Sequence, residues 1–259
     1  MSIPNCIICG TQKGGTRPLI DFLNQHPDVF MYDREIDFFS WHYGKGWNWY
    51  LKHFQDGSER IVGEKSPSYM FTPEVAGRMY ENIPDVKLIF LLRDPVDRAY
   101  SHYWMNVRRG KEKRSFSSVI REPECVDKYG TWCYISRGMY ENKLGRFKSF
   151  FPDSQLFVAK SESLRNDTSG VLSRICGFLG ISDFDFDVGI KTKVGVRPRS
   201  RFVTRVLQTR VCKLCPPVYN RLALYNNISK SYPPMKDEDR VYLEKLYESK
   251  SKVYVASES

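Results

Sequence analysis

A chain of 259 residues with 41% hydrophobic and 14% aromatic residues holds enough apolar side chain for a sizeable core, which excludes a disordered polypeptide. Its 40 lysines and arginines outnumber 30 acidic residues, and a formal charge of +10 favours anionic partners: a nucleotide, a nucleic acid, a sulfated or phosphorylated glycan, or a membrane surface. No leading apolar segment and no run long enough to cross a bilayer is visible, and the seven cysteines, an odd number, read as reduced thiols, so a cytoplasmic protein without membrane contact is expected.

In chain order, "NCIICG" reads as a first strand, followed by a glycine-rich loop and a short amphipathic helix in "PLIDFLNQHPDVF" that stops before Pro27. "RIVGEK" and "VKLIFLL" are the next strands. "DPVDRAYSHYWMNVRRG" is a helix with Asp94 as N-cap, Pro95 at its first position and Gly110 as its stop. "YENKLGRFKSFFP" forms a helix, "QLFVAK" a strand, and "DTSGVLSRICGFLGI" another helix. The Gly and Pro content of "KTKVGVRPRSRFVTR", Lys191 to Arg205, predicts a loop, and "KDEDRVYLEKLYESKSKVY" a last helix before a frayed tail. Strands alternating with helices predict an α/β, P-loop-like three-layer fold with a mainly parallel central sheet, in one domain over 1–259.

Two C-x-x-C pairs, Cys6 with Cys9 and Cys212 with Cys215, superficially give the halves of a zinc site. The first pair lies in a strand, where side chains three apart point to opposite faces, so no metal site is expected. The four histidines show no metal-binding spacing.

The loop "GTQKGGT" places backbone N–H groups and a helix N-terminus around an anion, a geometry that suits a 5′-phosphate. It departs from a Walker A loop because Lys13 precedes Gly14 and Gly15 instead of following them. "IFLL" runs into Arg93 where a magnesium site would want an aspartate. The bound group is therefore met by fixed positive charge. An ordinary tight turn would also account for a lone G-G-T.

"TQKGGTRPLIDFLNQHPDV", "REIDFF", "GEKSPSYM", "IFLLRDPVDRAYSHY" and "KTKVG", in that order, resemble the sulfotransferase domain of the heparan sulfate type and its bacterial relatives. Those enzymes take a sulfuryl group from 3′-phosphoadenosine 5′-phosphosulfate (PAPS) without a metal. The resemblance implies that Lys13, Gly14, Gly15, Thr16 and Arg17 cradle the 5′-phosphosulfate, with Lys13 also neutralising the leaving oxygen. Arg93 and Ser101 match the family's grip on the 3′-phosphate. Lys193, Gly195 and Arg197 match a loop that closes over it, although Val194 intervenes before the glycine. Glu35 falls where the family places its general base, and burial against Phe38 and Phe39 is expected to raise its pKa. Lys65 matches a lysine that orients the base and steadies the sulfate oxygens. Arg137 and Tyr140 sit in a further recurrent block, where helix packing explains Tyr140 equally well.

Asp37 stands where glycan-modifying members tend to carry histidine, and "SWHYGKGWNWY" is rich in aromatic residues. A site lined by Asp33, Asp37, Trp41, Trp47 and Trp49 suits a compact neutral or cationic acceptor, whereas core packing would also account for the tryptophans. The expected acceptor is a hydroxyl on a small molecule, such as a bacterial secondary metabolite of the guanidine alkaloid kind, with a glycan as the alternative. Two other classes stay open: a P-loop phosphotransferase, and a basic nucleic-acid-binding module using "RRGKEKR" and "RPRSRFVTR". The expected reading involves no nucleic acid.

Overall fold

The computed structural model describes residues 2–122, 133–189 and 232–257, together with positions 197–198, 200, 203, 207, 221 and 227–228. The chain divides into two compact units, one of 1–95 with 139–191, the other of 96–138 with 192–259.

The first unit is built on five strands: β1 (Cys6–Gly10), β2 (Val29–Met31), β3 (Ile61–Lys65), β4 (Lys87–Leu92) and β5 (Leu156–Lys160). All pair in parallel, in the order β2-β3-β1-β4-β5. Because side chains alternate along a strand, each strand feeds two cores. Ile7, Cys9, Val62, Leu88 and Phe90 join Phe38, Phe39, Tyr50, Tyr69, Met79 and Phe147 on one face. Cys6, Ile8, Ile61, Ile89 and Leu91 join Leu19, Ile20, Leu23, Val171 and Ile175 on the other. Helices α1 (Thr16–Leu23) and Thr168–Leu179 thus cover one side, and α3 (Val75–Asn82) and Tyr140–Lys148 the other, giving the three layers of a P-loop-like fold. Cys6 and Cys9 do face opposite ways, and burial pushes the Cys6 thiol up to about 12 and that of Cys9 well above its ordinary value.

The four expected strands form; β2 is an addition. Its cause lies in Asn24, the C-cap of α1, whose side-chain amide donates to the Met31 carbonyl at 2.9 Å and accepts from the Met31 N–H at 2.7 Å. That double bond to one residue ends the helix and docks the returning chain on β3. The helix Thr168–Leu179 is set at both ends: the Asp167 side chain accepts from the Gly170 N–H, and Gly180 leaves it in the left-handed conformation.

In the second unit, α4 (Pro95–Arg108, its first residue belonging to the first unit) starts at the expected proline. Its Asp97 pairs with Arg240 at 2.8 Å on the helix Asp237–Ser257, which reaches into the tail expected to fray. The buried Asp239 accepts from Ser117 on α5 (Phe116–Val119) and from Arg121. The segment expected to be a loop contains the two-residue strand Arg197–Pro198, antiparallel to Asn227–Ile228. Lys193, Gly195, Cys212 and Cys215 lie outside the described residues.

Candidate active site

The register aligns Ile8 with Lys65 on one side and with Ile89 on the other, so β1, β3 and β4 deliver their C-terminal ends to one edge of the sheet. Ligands of open α/β sheets bind at such an edge, beside the strand where the winding reverses. Here that strand is β1, because β2 and β3 lie to one side of it and β4 and β5 to the other.

The loop after β1 turns sharply. The Thr11 N–H donates to the Leu91 carbonyl at 2.7 Å, and the Gly14 N–H returns to the Thr11 carbonyl at 2.8 Å. Lys13 and Gly15 are both left-handed, with φ of 72° and 87°, and a non-glycine residue in that region marks a held conformation. A Cβ on Gly14 would fall 2.5 Å from the Leu91 carbonyl oxygen, so only glycine fits there. The Cβ direction of Gly15, in contrast, is open, and no side chain caps the N-terminus of α1. An anion is a natural partner for such a first turn.

Arg93, just past β4, donates through Nη1 to the Lys13 carbonyl at 3.4 Å. Its Nε is buried with no hydrogen-bond partner, as is Thr11 Oγ1. Two further hydroxyls brace this corner: Ser161 donates to the Gly14 carbonyl, and Tyr140 to the Arg93 carbonyl at 2.9 Å. Thr16 is buried as the first residue of α1. Arg17 turns outward, pairing with Asp21 at 3.0 Å and donating to the Asp33 carbonyl. Ser101 is buried on α4 in the second unit, and Arg197 lies in its two-residue strand.

Beside the loop, Lys65 ends β3 nearly buried and pairs with Glu35 at 2.9 Å. A buried ammonium needs such a counter-charge. Glu35 itself is 51% exposed at its side chain and is not enclosed by Phe38 and Phe39, which turn into the core. The left-handed Asp37, φ 53°, stands between Glu35 and the two phenylalanines. Asp37 is half-buried, and its carboxyl accepts from Ser68 Oγ at 2.5 Å. Burial pushes its pKa up, helped by Glu35 and opposed by the Ser68 bond, His42 and Lys65.

The strongly desolvated carboxyl is one the motifs do not single out. Glu64, fully buried, accepts from Tyr50 at 2.9 Å, Tyr69 at 2.6 Å and Ser66 at 2.7 Å. Burial pushes its pKa up to about 7 against the opposing pull of those three hydroxyls. The sequence signal was the dipeptide Glu64-Lys65 in a strand buried on both faces, which obliges one of the two charges to point inward.

The aromatic segment packs differently from an acceptor wall. Trp47 and Trp49 lie against the core, both near Phe38, while Trp41 is 66% exposed. Asp33 is exposed beside Arg34. The ring surface expected to receive a compact acceptor is thereby largely spent on packing. Among the described residues no group of three or more His, Cys, Asp or Glu is disposed to hold a metal ion, and no helix is long and apolar enough to cross a membrane.

A parallel sheet with a glycine-lysine loop at its reversal point, flanked by Arg93 and Lys65, defines a P-loop-like α/β protein. Residues 4–187 match the sulfotransferase domain family, and the chain belongs to it. It is 37% identical over 183 residues to human heparan sulfate glucosamine 3-O-sulfotransferase 3B1, an alignment that covers 69% of this chain and 46% of that protein. The chain thus spans about half the length of the curated relatives it matches. A sulfotransferase from Alicyclobacillus acidocaldarius superposes with a TM-score of 0.67 at 28% identity, covering 88% of this chain and 98% of the other. The sulfotransferase domain from the curacin biosynthetic pathway shares the fold, with a TM-score of 0.53 at 13% identity, covering 95% and 98%.

Proposed function

We propose that this chain transfers a sulfuryl group from PAPS to a hydroxyl of a glucosamine-containing glycan. The observation that carries the reading is the meeting of Lys13, Arg93 and the Lys65–Glu35 pair at one edge of the sheet. The uncapped first turn of α1, the open side of Gly15 and the unpartnered Nε of Arg93 fit an anionic donor. When bound, PAPS supplies the sulfuryl group and its leaving phosphate oxygen. Lys13 offsets the negative charge that grows on that oxygen. Glu35 takes the proton of the attacking acceptor hydroxyl, and Lys65 holds Glu35 in place and steadies the sulfate oxygens. Arg93 grips the 3′-phosphate.

The named activity of the 3-O-sulfotransferase relatives favours a glycan over the small molecule expected from the aromatic segment, and the packing of Trp47 and Trp49 against the core removes that segment's main support. Thermal unfolding with 3′-phosphoadenosine 5′-phosphate, with ATP and magnesium, and with an oligonucleotide tests the donor. At a ligand concentration of about 100 times Kd, stabilisation of roughly 2.7 kcal/mol raises the midpoint by several degrees. The bisphosphate is expected to do so; a response only to magnesium nucleotide or to the oligonucleotide overturns the reading. Labelled PAPS offered with heparan-type oligosaccharides and with a panel of small hydroxyl metabolites then tests the acceptor, and transfer only to the metabolites refutes the glycan.

A further inference from the structure

Glu64 has no part in the chemistry above, yet every donor it receives is tied to the segment that carries Glu35. Ser66 Oγ donates to one carboxyl oxygen of Glu64 at 2.7 Å and accepts the Asp37 N–H at 2.9 Å. Tyr69 Oη donates to the other oxygen at 2.6 Å and accepts the Phe39 N–H at 3.4 Å. Two hydroxyls therefore relay one buried carboxyl to two backbone groups on either side of Phe38. Tyr50 Oη donates to the same oxygen as Tyr69, and its ring stacks on Phe38 with centroids 4.5 Å apart. All three contacts converge on residues 37–39, where the left-handed Asp37 needs an external hold. The Asp37 carbonyl in turn accepts from the N–H groups of Trp41 and His42 and opens the helical turn Phe38–His42.

A hydroxyl that donates to a carboxylate oxygen is free to accept only through its own lone pairs, so the ionised Glu64 fixes the direction of both relays. Were it replaced by an amide, one oxygen position would become a donor, and the hydroxyl facing it would have to accept there as well as from its backbone N–H, leaving its own O–H without the carboxylate that now directs it. We propose that Glu64 is a positioning residue, which through Ser66 and Tyr69 orders the 35–39 segment and so sets where the Glu35 carboxylate stands relative to Lys65. This rests on the sulfuryl-transfer reading for its kinetic consequence, but not for its structural one.

Two kinds of measurement separate those consequences. Hydrogen–deuterium exchange read by mass spectrometry needs no acceptor: Glu64→Gln and Ser66→Ala should each speed exchange across residues 37–42 while the β4 segment keeps wild-type protection. In steady-state transfer, both variants should lose about tenfold or more in kcat, since a misplacement of the order of 1 Å costs up to roughly a hundredfold, with donor KM and affinity for 3′-phosphoadenosine 5′-phosphate within about twofold of wild type. The double variant should lose little more than either single one, because both cut the same relay. Ser66→Ala leaves Glu64 with its two tyrosine donors and keeps the proposal open to refutation if Glu64→Gln does not fold. Unchanged exchange over 37–42 in both overturns the proposal, as does a loss of donor affinity equal to the loss in kcat. Faster exchange in a protein whose wild type transfers no sulfuryl group would support the anchoring and overturn only the enzymatic reading.

Discussion

Glu64 also makes a prediction about stability, because its folded-state pKa is raised from the ordinary 4.5 to about 7. The folded protein then binds a proton that the unfolded chain releases between those two values, so stability is fully present below about pH 4.5 and is lost as pH rises toward about 7. Each unit of difference corresponds to about 1.4 kcal/mol, and the interval thus amounts to about 3 kcal/mol, undiscounted for solvent because the side chain is fully buried. Urea unfolding at constant ionic strength, from pH 5 to pH 8, measures it in the wild type and in Glu64→Gln. Other titrating groups contribute nearly equally to both proteins, so the difference between the two curves isolates Glu64. Wild type should lose about 2.5 kcal/mol relative to the variant over that range, the remainder having gone below pH 5. At pH 5 the folded carboxyl is protonated and, like the amide, offers one donor and one acceptor atom, so the two proteins start close together and diverge as pH rises. Parallel curves would refute the reasoning, since they would mean that Glu64 keeps the same protonation folded and unfolded.

Glu35→Gln should leave binding of 3′-phosphoadenosine 5′-phosphate nearly intact while turnover falls roughly a hundredfold or more, the loss typical of a missing general base; unchanged turnover removes Glu35 from the mechanism. Arg93→Ala should weaken the bisphosphate by tenfold or more, since a charge-assisted hydrogen bond is worth about 1.5–3 kcal/mol, and should scarcely affect adenosine 5′-phosphosulfate; calorimetry showing equal losses contradicts a 3′-phosphate role. Gly14→Ala and Gly15→Ala should part company. The first drives a Cβ to 2.5 Å from the Leu91 carbonyl and should destabilise by about 1–3 kcal/mol, a drop of several degrees in Tm. The second meets nothing and incurs only the left-handed conformational cost of about 1–2 kcal/mol, but with the donor seated on that open side, as proposed, its methyl should abolish bisphosphate binding. Identical behaviour of the pair would place the donor elsewhere.

The parallel sheet was legible because strands buried on both faces appear as uninterrupted apolar runs, and "CIICG" and "KLIFLL" are such runs. β2 was not, since three residues after a proline carry too little pattern, and what makes Val29–Met31 a strand is the side chain of Asn24 at a distance in sequence. The loop at β1 was legible down to its glycines, because a close backbone approach leaves no other residue possible at Gly14. Glu35 shows where reading by adjacency breaks down. It precedes two phenylalanines in the chain, yet the left-handed Asp37 stands between it and them, and Glu35 is exposed beside Lys65 while Phe38 and Phe39 are buried in the core.

The same distinction decides how β3 serves the site. Glu64 and Lys65 are consecutive and of opposite charge, the arrangement that reads most readily as a surface pair. A strand forbids it, because successive side chains leave on opposite faces, and both faces here are buried. Each charge must then find its own compensation. Lys65 finds it in Glu35 at 2.9 Å, at the edge where a donor would lie. Glu64 finds three hydroxyls, two of which hold the backbone that follows Glu35. The two solutions meet in one segment: Lys65 holds the carboxylate of Glu35 by charge, and Glu64 holds the chain beneath it by hydrogen bonds, so a change at either residue displaces the same group.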